Sequence, residues 1–229
     1  MELKRILKDT LEKDCVLYTS GTTGPKRSVV QPHNKLLASN SVAREVQNIN
    51  NQSRILTVCD LKHAGGMLAQ TLPAYEVGAH VHVQKFSAFS WVKQITDYTH
   101  SHLTPNMARA VIKTKTFGSL NLAGITIMCG SDRVHSSIIQ SFIDRGATFI
   151  ANWGMTEVGP VAINSTFNPG DTATTTESIM GNQMYCDTKI VDGELYVKGD
   201  ICVYDDWYPT GDLVQYTSNI YYYLGRKNA

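Results

Sequence analysis

Residues 54–84 of the chain read RILTVCDLKHAGGMLAQTLPAYEVGAHVHVQ, with an apolar run at each end and a mixed segment between them. We predict a strand over 54–60, a helix over 65–75 and a second strand over 79–84. A strand–helix–strand order of this length is typical of a βαβ unit, in which the two strands lie parallel in one sheet. This stretch therefore predicts an α/β fold.

The same alternation continues on both sides of this unit. Further strands are predicted over 15–18, 28–31, 125–129 and 148–152, and further helices over 32–46, 88–98, 105–113 and 136–145. An N-terminal helix is indicated by Leu3, Ile6, Leu7 and Leu11, which fall on one helical face. The whole pattern predicts a mostly parallel sheet with flanking helices.

The character of the sequence changes after about residue 160. Residues 164–178, NSTFNPGDTATTTES, are polar and contain Pro and Gly, so we expect a long loop there. The segments that follow alternate, and the pair Asp192-Gly193 between two of them is typical of a hairpin turn. We therefore predict a small antiparallel β subdomain over 179–229, attached to an α/β body over 1–178.

The composition of the chain limits which partners and which cellular location we expect. Charged residues make up 18% of the chain and its net charge is +1, values that favour neither nucleic acid nor an anionic membrane as a partner. No run of about eighteen apolar residues is present, so no membrane span is expected. The five cysteines form no Cys-x-x-Cys pair and lie in or beside apolar runs, which favours reduced thiols and a cytoplasmic location.

A second informative stretch is YTSGTTGPKR, residues 18–27. Glycine-rich loops let backbone N–H groups surround an anion, and hydroxyl and ammonium groups add donors, so this stretch predicts a phosphate-binding loop. A plain polar loop before a helix is the alternative. The P-loop pattern is not met, because Gly21 and Gly24 are three residues apart and Lys26 follows Pro25. A nucleotide site would need another architecture.

Polar residues follow two more of the predicted strands, at 130–132 (GSD) and at 153–157 (WGMTE). Ligands of open α/β sheets bind at the carboxyl ends of the strands, so these segments and the 18–27 loop are expected to form one site. In the WGMTE segment the indole can stack on a base, the hydroxyl can bind phosphate, and the carboxylate can hold Mg²⁺. Residues 210–212 (TGD) add a carboxylate suited to two vicinal hydroxyls, such as those of ribose.

The segments YTSGTTGPKR, NWGMTE, GELYVKGD, PTGDL and YLGRK occur in this order. Together they closely resemble the acyl-adenylate-forming superfamily, which includes acyl-CoA synthetases, nonribosomal peptide adenylation domains and luciferases. Members activate a carboxylic acid with Mg·ATP to give acyl-AMP and pyrophosphate, and most then pass the acyl group to a thiol. The resemblance implies an AMP-forming ligase that uses ATP and Mg²⁺, with coenzyme A as one candidate thiol.

The resemblance also implies roles for individual residues. The nucleotide-binding positions are Thr19, Ser20, Gly21, Thr22, Thr23, Gly24, Gly130, Ser131, Asp132, Trp153, Gly154, Asp212 and Arg226. The catalytic positions are Lys26, His63, Thr156 and Glu157. On this resemblance Trp153 stacks on adenine, while Asp212 and Arg226 lie at the ribose. Glu157 holds Mg²⁺, and His63 borders the carboxylate of the acid. The body over 1–178 would then bind both the nucleotide and the acyl group.

The sequence departs from the family in its loop and at its ends. The loop is one residue shorter before Pro25, which makes Arg27 a second candidate beside Lys26. Family members carry a longer segment before the loop and a mobile C-terminal domain with a catalytic lysine after the Gly-Arg pair. We therefore expect a nucleotide-binding middle without these flanks, with a separate chain as one candidate source of the lysine domain.

Two functional hypotheses follow. One is a compact adenylating enzyme that acts on a carboxylic acid, and the other is a degenerate protein that binds adenine nucleotide or acyl-adenylate without turnover.

The histidines suggest a further alternative, a metal site, because His80 alternates with His82 and His100 with His102, as in some metal sites. No third ligand accompanies either pair, so packed or surface histidines are favoured.

Overall fold

The computed structural model describes residues 2–19, 27–173 and 179–227, and these residues form three β-sheets. The strands in chain order are β1 (Cys15–Tyr18), β2 (Ser28–Gln31), β3 (Arg54–Thr57), β4 (His80–Val83), β5 (His100–Leu103), β6 (Thr126–Cys129), β7 (Thr148–Met155), β8 (Gly159–Phe167), β9 (Ile179–Gly181), β10 (Gln183–Met184), β11 (Asp187–Val191), β12 (Glu194–Lys198), β13 (Tyr208–Thr217) and β14 (Ile220–Arg226).

The helices are α1 (Glu2–Leu11), α2 (His33–Gln47), α3 (Ala64–Gly66), α4 (Leu72–Glu76), α5 (Ala88–Gln94), α6 (Pro105–Ile112) and α7 (Ser136–Ile143). A π-helical turn at Met67–Thr71 joins α3 to α4, so the single helix predicted over 65–75 is a composite of three pieces. Short 3₁₀ turns lie at Ile95–Asp97 and Phe117–Ser119. No helix in the described part of the chain combines the length and the apolar character that crossing a bilayer requires.

The central sheet has seven strands in the order β10-β8-β7-β6-β5-β3-β4. The five strands from β7 to β4 in this order are parallel neighbours, and β8 and β10 add antiparallel pairs at one edge. Parallel neighbours need long crossover connections, which the helical segments between these strands provide. The predicted α/β fold with a mostly parallel sheet and flanking helices is confirmed.

An apolar core lies between this sheet and the helices α5, α6 and α7. Trp91, Phe142 and Phe149 are fully buried in it, and Trp91 meets Phe142 edge to face at 6.1 Å between ring centroids. The Trp91 indole N–H donates to Ser101 Oγ at 3.0 Å, so its polar atom is also satisfied. Burial of each large apolar side chain stabilises the fold by about 1.5–3 kcal/mol, which makes the sheet a firm support for the loops at its strand ends.

A second sheet is antiparallel and has the order β11-β12-β13-β14-β9. The turn between β11 and β12 has φ 51° at Asp192 and φ 79° at Gly193, the left-handed conformation that a tight hairpin needs, so the hairpin prediction is confirmed. β9 belongs to this sheet, whereas β10, the next strand in the chain, pairs with β8 of the central sheet. The division between residues 178 and 179 stays a prediction.

The structure corrects two local predictions. Residues 164–167, predicted as the start of a loop, are the end of β8 and pair with β7. Asn164 is fully buried there, and its Nδ2 donates to Val161 O at 3.0 Å, whereas its Oδ1 has no hydrogen-bond partner among the described residues. Among the described residues, β1 and β2 pair only with each other, so β1 is not a strand of the parallel sheet.

Candidate functional site

A cleft of about 1170 Å³ opens at the carboxyl ends of β3, β5, β6 and β7 and is closed on its far side by β12, β13 and β14. Its volume exceeds the usual range for small-ligand pockets, so it has room for a nucleotide together with a second molecule. The predicted site residues that line it are Thr19, His63, Ser131, Asp132, Trp153, Gly154, Thr156, Glu157, Asp212 and Arg226. Strand-end segments that are far apart in the sequence therefore meet in one place.

The predicted phosphate loop starts at the rim of this cleft. Thr19 N donates to Arg27 O at 2.9 Å, and Arg27 N donates to Thr19 Oγ1 at 3.2 Å, so these two residues close the base of the loop. Arg27 itself lines the cleft. The other predicted loop residues, Ser20, Gly21, Thr22, Thr23, Gly24 and Lys26, lie outside the described residues, and their roles stay predictions.

The hairpin β1–β2 is fastened to the cleft walls from both of its strands. Gln31 of β2 donates through Nε2 to Thr156 O, and Tyr18 N of β1 donates to Lys62 O at 2.8 Å. His63 follows directly, half-buried, and its Nδ1 lies 2.8 Å from Tyr18 O. Since a carbonyl oxygen only accepts, His63 Nδ1 must carry the proton. The loop thus arises from an antiparallel hairpin rather than from a strand of the parallel sheet.

Gly130 does not line the cleft, because it packs against Asn152 of β7. A Cβ on this residue would lie 2.4 Å from Asn152 O and 2.5 Å from Asn152 Oδ1. Only a glycine allows the end of β6 to approach β7 this closely. The structure therefore gives Gly130 a packing role, and it leaves Ser131 and Asp132 as the part of the turn that reaches the cleft.

Trp153, Asp212 and Arg226 form one connected group. The Trp153 indole N–H donates to Asp212 Oδ2 at 2.9 Å, and Arg226 Nε lies 2.9 Å from Asp212 Oδ1. The ion pair is not aligned as a hydrogen bond, so Oδ1 is buried with no hydrogen-bond partner among the described residues. Burial raises the pKa of Asp212 above its ordinary value, against the opposing effects of Arg226 and Trp153. The carboxylate is thus held in place, and its Oδ1 lies beside the Arg226 guanidinium without accepting a hydrogen bond.

Glu194 was missed by the sequence reasoning, although the segment GELYVKGD that contains it was noted. It is buried, lines the cleft, accepts from Gly211 N at 3.0 Å and pairs with Lys227 Nζ at 2.7 Å. The hydrogen bond from Lys227 holds the pKa of Glu194 below its ordinary value. Gly211 lies within β13 with φ 74°, a conformation that favours glycine, and its hydrogen bond to Glu194 helps to fix the segment that positions Asp212.

Thr156 and Glu157 lie in the turn between β7 and β8, and β7 continues through Met155, three residues beyond the predicted end of this strand at residue 152. Thr156 is buried and Glu157 is half-buried, and both line the cleft. Burial, together with the charge of Glu157, raises the pKa of Tyr208 to about 12. The described residues contain no cluster of three or more His, Cys, Asp and Glu side chains able to hold a metal ion.

Two more buried acceptors line the cleft and were not foreseen. Asn152 uses Nδ2 to donate to Pro160 O at 2.7 Å, but its Oδ1 has no partner among the described residues. His102 Nδ1 bonds to Gly65 O at 2.7 Å, and its Nε2 likewise has no described partner. Neighbouring His100 is packed between Gln47 O and Thr99. These two acceptors stand out because they are buried and lack a hydrogen-bond partner, and a sequence pattern shows neither property.

Comparison with known proteins places the site in a family context. Residues 11–208 match the family model described as AMP-binding enzyme. Indoleacetate–CoA ligase from Aromatoleum aromaticum is 28% identical over 244 residues, which cover 93% of this chain and 47% of that protein. Feruloyl-CoA synthase from an Amycolatopsis species is 27% identical over 157 residues, covering 66% of this chain and 32% of that protein. The chain spans at most about half the length of these relatives.

Solved structures share the fold. O-succinylbenzoate coenzyme A synthetase (MenE) from Bacillus subtilis, in complex with ATP and magnesium ion, superposes with a TM-score of 0.78. The superposition covers 93% of this chain and 50% of that one, at 22% sequence identity. At this identity the likeness shows the fold and leaves the chemistry to be argued from the residues.

Proposed function

The chain belongs to the AMP-binding enzyme family, and we propose that it forms the nucleotide- and acid-binding part of an AMP-forming acid–thiol ligase. The observation that carries this proposal is the buried Asp212 carboxylate, which Trp153 and Arg226 hold at the cleft, and whose Oδ1 is ion-paired with Arg226 but accepts no hydrogen bond from the described residues. The alternative of a non-catalytic nucleotide binder has no support from the comparisons. Both hypotheses place the nucleotide in this cleft, and they differ in whether the bound nucleotide reacts with an acid.

The nucleoside would bind at the Asp212 end of the cleft. A buried carboxylate oxygen without a hydrogen bond is costly unless a ligand supplies a donor, and the vicinal hydroxyls of ribose are suitable donors. The half-buried Trp153 ring beside it offers an aromatic face for adenine. Asn152 Oδ1, also buried and unpartnered among the described residues, is a second acceptor suited to an amino group. Asp212 and Asn152 therefore match the donors of adenosine.

The phosphates would lie between the hairpin β1–β2 and the β7–β8 turn. Arg27 supplies positive charge at the rim, and Thr156 and Glu157 face the cleft from the turn. Mg²⁺ commonly binds to one or two carboxylates while its remaining ligands are phosphate oxygens and water, so the single carboxylate of Glu157 fits this ion. When bound, Mg²⁺ supplies positive charge beside the phosphate oxygens.

In the proposed reaction a carboxylate oxygen of the acid attacks the α-phosphorus of ATP, the bond to the β-phosphate breaks, and pyrophosphate leaves with its electron pair. No proton transfer is needed. The contribution of the chain is to hold the two anions in line and to offset their repulsion by positive charge and N–H donors. Transfer of the acyl group to coenzyme A would be the second step.

We propose an aryl-substituted carboxylic acid as the substrate. Support comes from the two relatives above, whose names specify indoleacetate and a feruloyl group, both of which carry an aromatic ring. The residues that line the cleft include Ala64, Gly65 and Met107, small or apolar residues that suit an aromatic ring. A cytoplasmic location, and a separate chain that supplies a lysine-bearing domain, also remain proposals.

The test is to incubate the purified chain with ATP, Mg²⁺ and single acids, including indole-3-acetate and ferulate, with and without coenzyme A. Pyrophosphate release and acyl-CoA formation are followed by mass spectrometry. Acid-dependent pyrophosphate release supports adenylation. Nucleotide binding without pyrophosphate from any acid favours the non-catalytic binder, and absence of nucleotide binding contradicts both. Adding a candidate lysine-domain chain tests whether a partner raises the rate.

A further inference from the structure

His102 lines the cleft away from the proposed nucleoside site. It lies on β5, whereas Trp153 and Asn152 lie on β7, and β6 runs between these strands. Neighbouring strands are about 4.8 Å apart, so about 10 Å separates β5 from β7 across the sheet. A Cβ on Gly65 would lie 3.0 Å from His102 Cε1 and 3.5 Å from Ser131 Oγ, which places all three residues around one region.

The hydrogen bond to Gly65 determines which ring nitrogen of His102 carries the proton. Gly65 O can only accept, so the proton is on Nδ1, and Nε2 is left with a lone pair and no proton. Burial lowers the pKa of His102 to about 4, so the ring is neutral near pH 7. A carboxylate or carbonyl oxygen would be repelled at Nε2, and only a hydrogen-bond donor would be bound there.

Nothing in the described residues supplies that donor. His102 is 4% exposed, and Nε2 has no hydrogen-bond partner within residues 2–19, 27–173 and 179–227. His102 also borders a small cavity with Thr71 and Gln70, which has no room for a water molecule. Since His102 lines the large cleft as well, a ligand bound in that cleft is the remaining source of the donor.

We propose that His102 Nε2 accepts a hydrogen bond from a hydroxyl or N–H group on the acyl part of the acid, and that His102 thereby selects acids that carry such a donor. This inference rests on the proposed function, because it assigns the acid to the end of the cleft that the nucleotide does not fill. It makes His102 a specificity-determining residue. An acid without a donor would leave a buried acceptor unpaired, which weakens binding by about 5- to 150-fold.

The test compares matched acyl-adenylate analogues, in which a sulfamate replaces the phosphate, so that no turnover is needed. One pair carries 4-hydroxyphenylacetyl and 4-methylphenylacetyl groups, a second carries 4-hydroxyphenylpropenoyl and 4-methylphenylpropenoyl groups, and a third carries indole-3-acetyl and 1-methylindole-3-acetyl groups. Affinities are measured by isothermal titration with the full chain. At least one donor-bearing analogue is expected to bind with an affinity about 5-fold higher, or more, than that of its donor-free match.

Two variants separate His102 from general packing effects. His102→Asn keeps a side-chain N–H for Gly65 O and removes the acceptor at Nε2, so the preference is expected to disappear. His100→Asn alters a buried histidine of the same strand that does not line the cleft, so the preference is expected to persist. Circular dichroism checks that both variants fold.

A direct measurement applies even where a variant does not fold. In ¹⁵N-labelled wild-type protein, the Nε2 resonance of His102 is expected to shift when the preferred donor-bearing analogue binds and to shift less with its donor-free match. Equal affinities within all three pairs, or a preference that persists in His102→Asn, would overturn the proposal. If AMP itself fails to bind, the proposed function fails as well, whereas AMP binding with equal pairs removes only the role of His102.

Discussion

The indole nitrogen of Trp153 donates a 2.9 Å hydrogen bond to Oδ2 of Asp212, joining the end of β7 to β13 across the cleft. The two residues are 59 positions apart in the chain and belong to different sheets. The bond leaves Oδ1 of Asp212 beside Arg226 and without a hydrogen bond from the described residues. A nucleoside that enters here must contact this pair, so both residues should report its arrival.

Trp153 should therefore act as a fluorescent reporter of nucleotide binding. Titration with AMP is expected to change the tryptophan emission, because the ring gains a stacked base or loses its bond to Asp212. Trp153→Phe should abolish the change. Trp207→Phe is the matched control, since the Trp207 ring lies under Lys189 Nζ at 4.2 Å and does not line the cleft. A signal that survives in Trp153→Phe and disappears in Trp207→Phe would place the nucleotide elsewhere.

Glu157 should affect nucleotides in a phosphate-dependent way. If this carboxylate binds Mg²⁺, Glu157→Gln weakens Mg·ATP by about 10-fold or more, as expected for a lost interaction with a charged group, and leaves metal-free AMP nearly unchanged. Isothermal titration with each nucleotide measures both effects. Glu12→Gln, a change at an exposed position outside the cleft, is the control. An equal loss for both nucleotides would show that Glu157 supports the fold or the nucleoside instead.

Gly130 should be intolerant of even one methyl group. Its Cβ would lie 2.4 Å from Asn152 O, a backbone atom that cannot move freely, so Gly130→Ala is expected to lower the free energy of unfolding by about 1–3 kcal/mol. Gly118→Ala is the matched control, because nothing lies within 4 Å of its Cβ position. Chemical denaturation of both variants makes the comparison. Equal stabilities would contradict the close contact between β6 and β7.

Much of this site was predictable from the sequence, because some residues reveal their chemistry by type and position. Trp153 lies near the end of β7, Glu157 in the turn after it and Asp212 within β13, and the structure brings this aromatic ring and these two carboxylates to one cleft. Glu194, Asn152 and His102 were missed because their importance depends on burial and on which atoms lack partners. The β1–β2 hairpin and the polar end of β8 were also misjudged, since strand partners are decided by tertiary packing.

Glu194 should contribute stability that depends on pH. Its folded-state pKa lies below the ordinary value, so its contribution is complete above that value of 4.5 and is lost as the pH falls through the lowered pKa. Glu194→Gln is expected to cost about 1.5–3 kcal/mol near neutral pH, because the charged acceptor for Gly211 N and Lys227 is removed.

The same variant should converge with the wild type in acid. Urea denaturation at a series of pH values measures the difference between the two proteins, which should shrink as the pH falls below about 4.5. A difference that stays constant over this range would show that the Glu194 charge does not stabilise the segment of β13 around Gly211.

The most direct test of the central claim is the affinity of the chain for AMP, measured by isothermal titration, in the wild type and in Asp212→Ala. Asp187→Ala, a change at an exposed position outside the cleft, is the control. Loss of hydrogen bonds from the ribose hydroxyls to a charged acceptor should weaken AMP and ATP alike by about 10- to 150-fold in Asp212→Ala, and Asp187→Ala should bind like the wild type. An AMP affinity that is the same in Asp212→Ala and in the wild type would contradict the assignment of this cleft as an adenylate site.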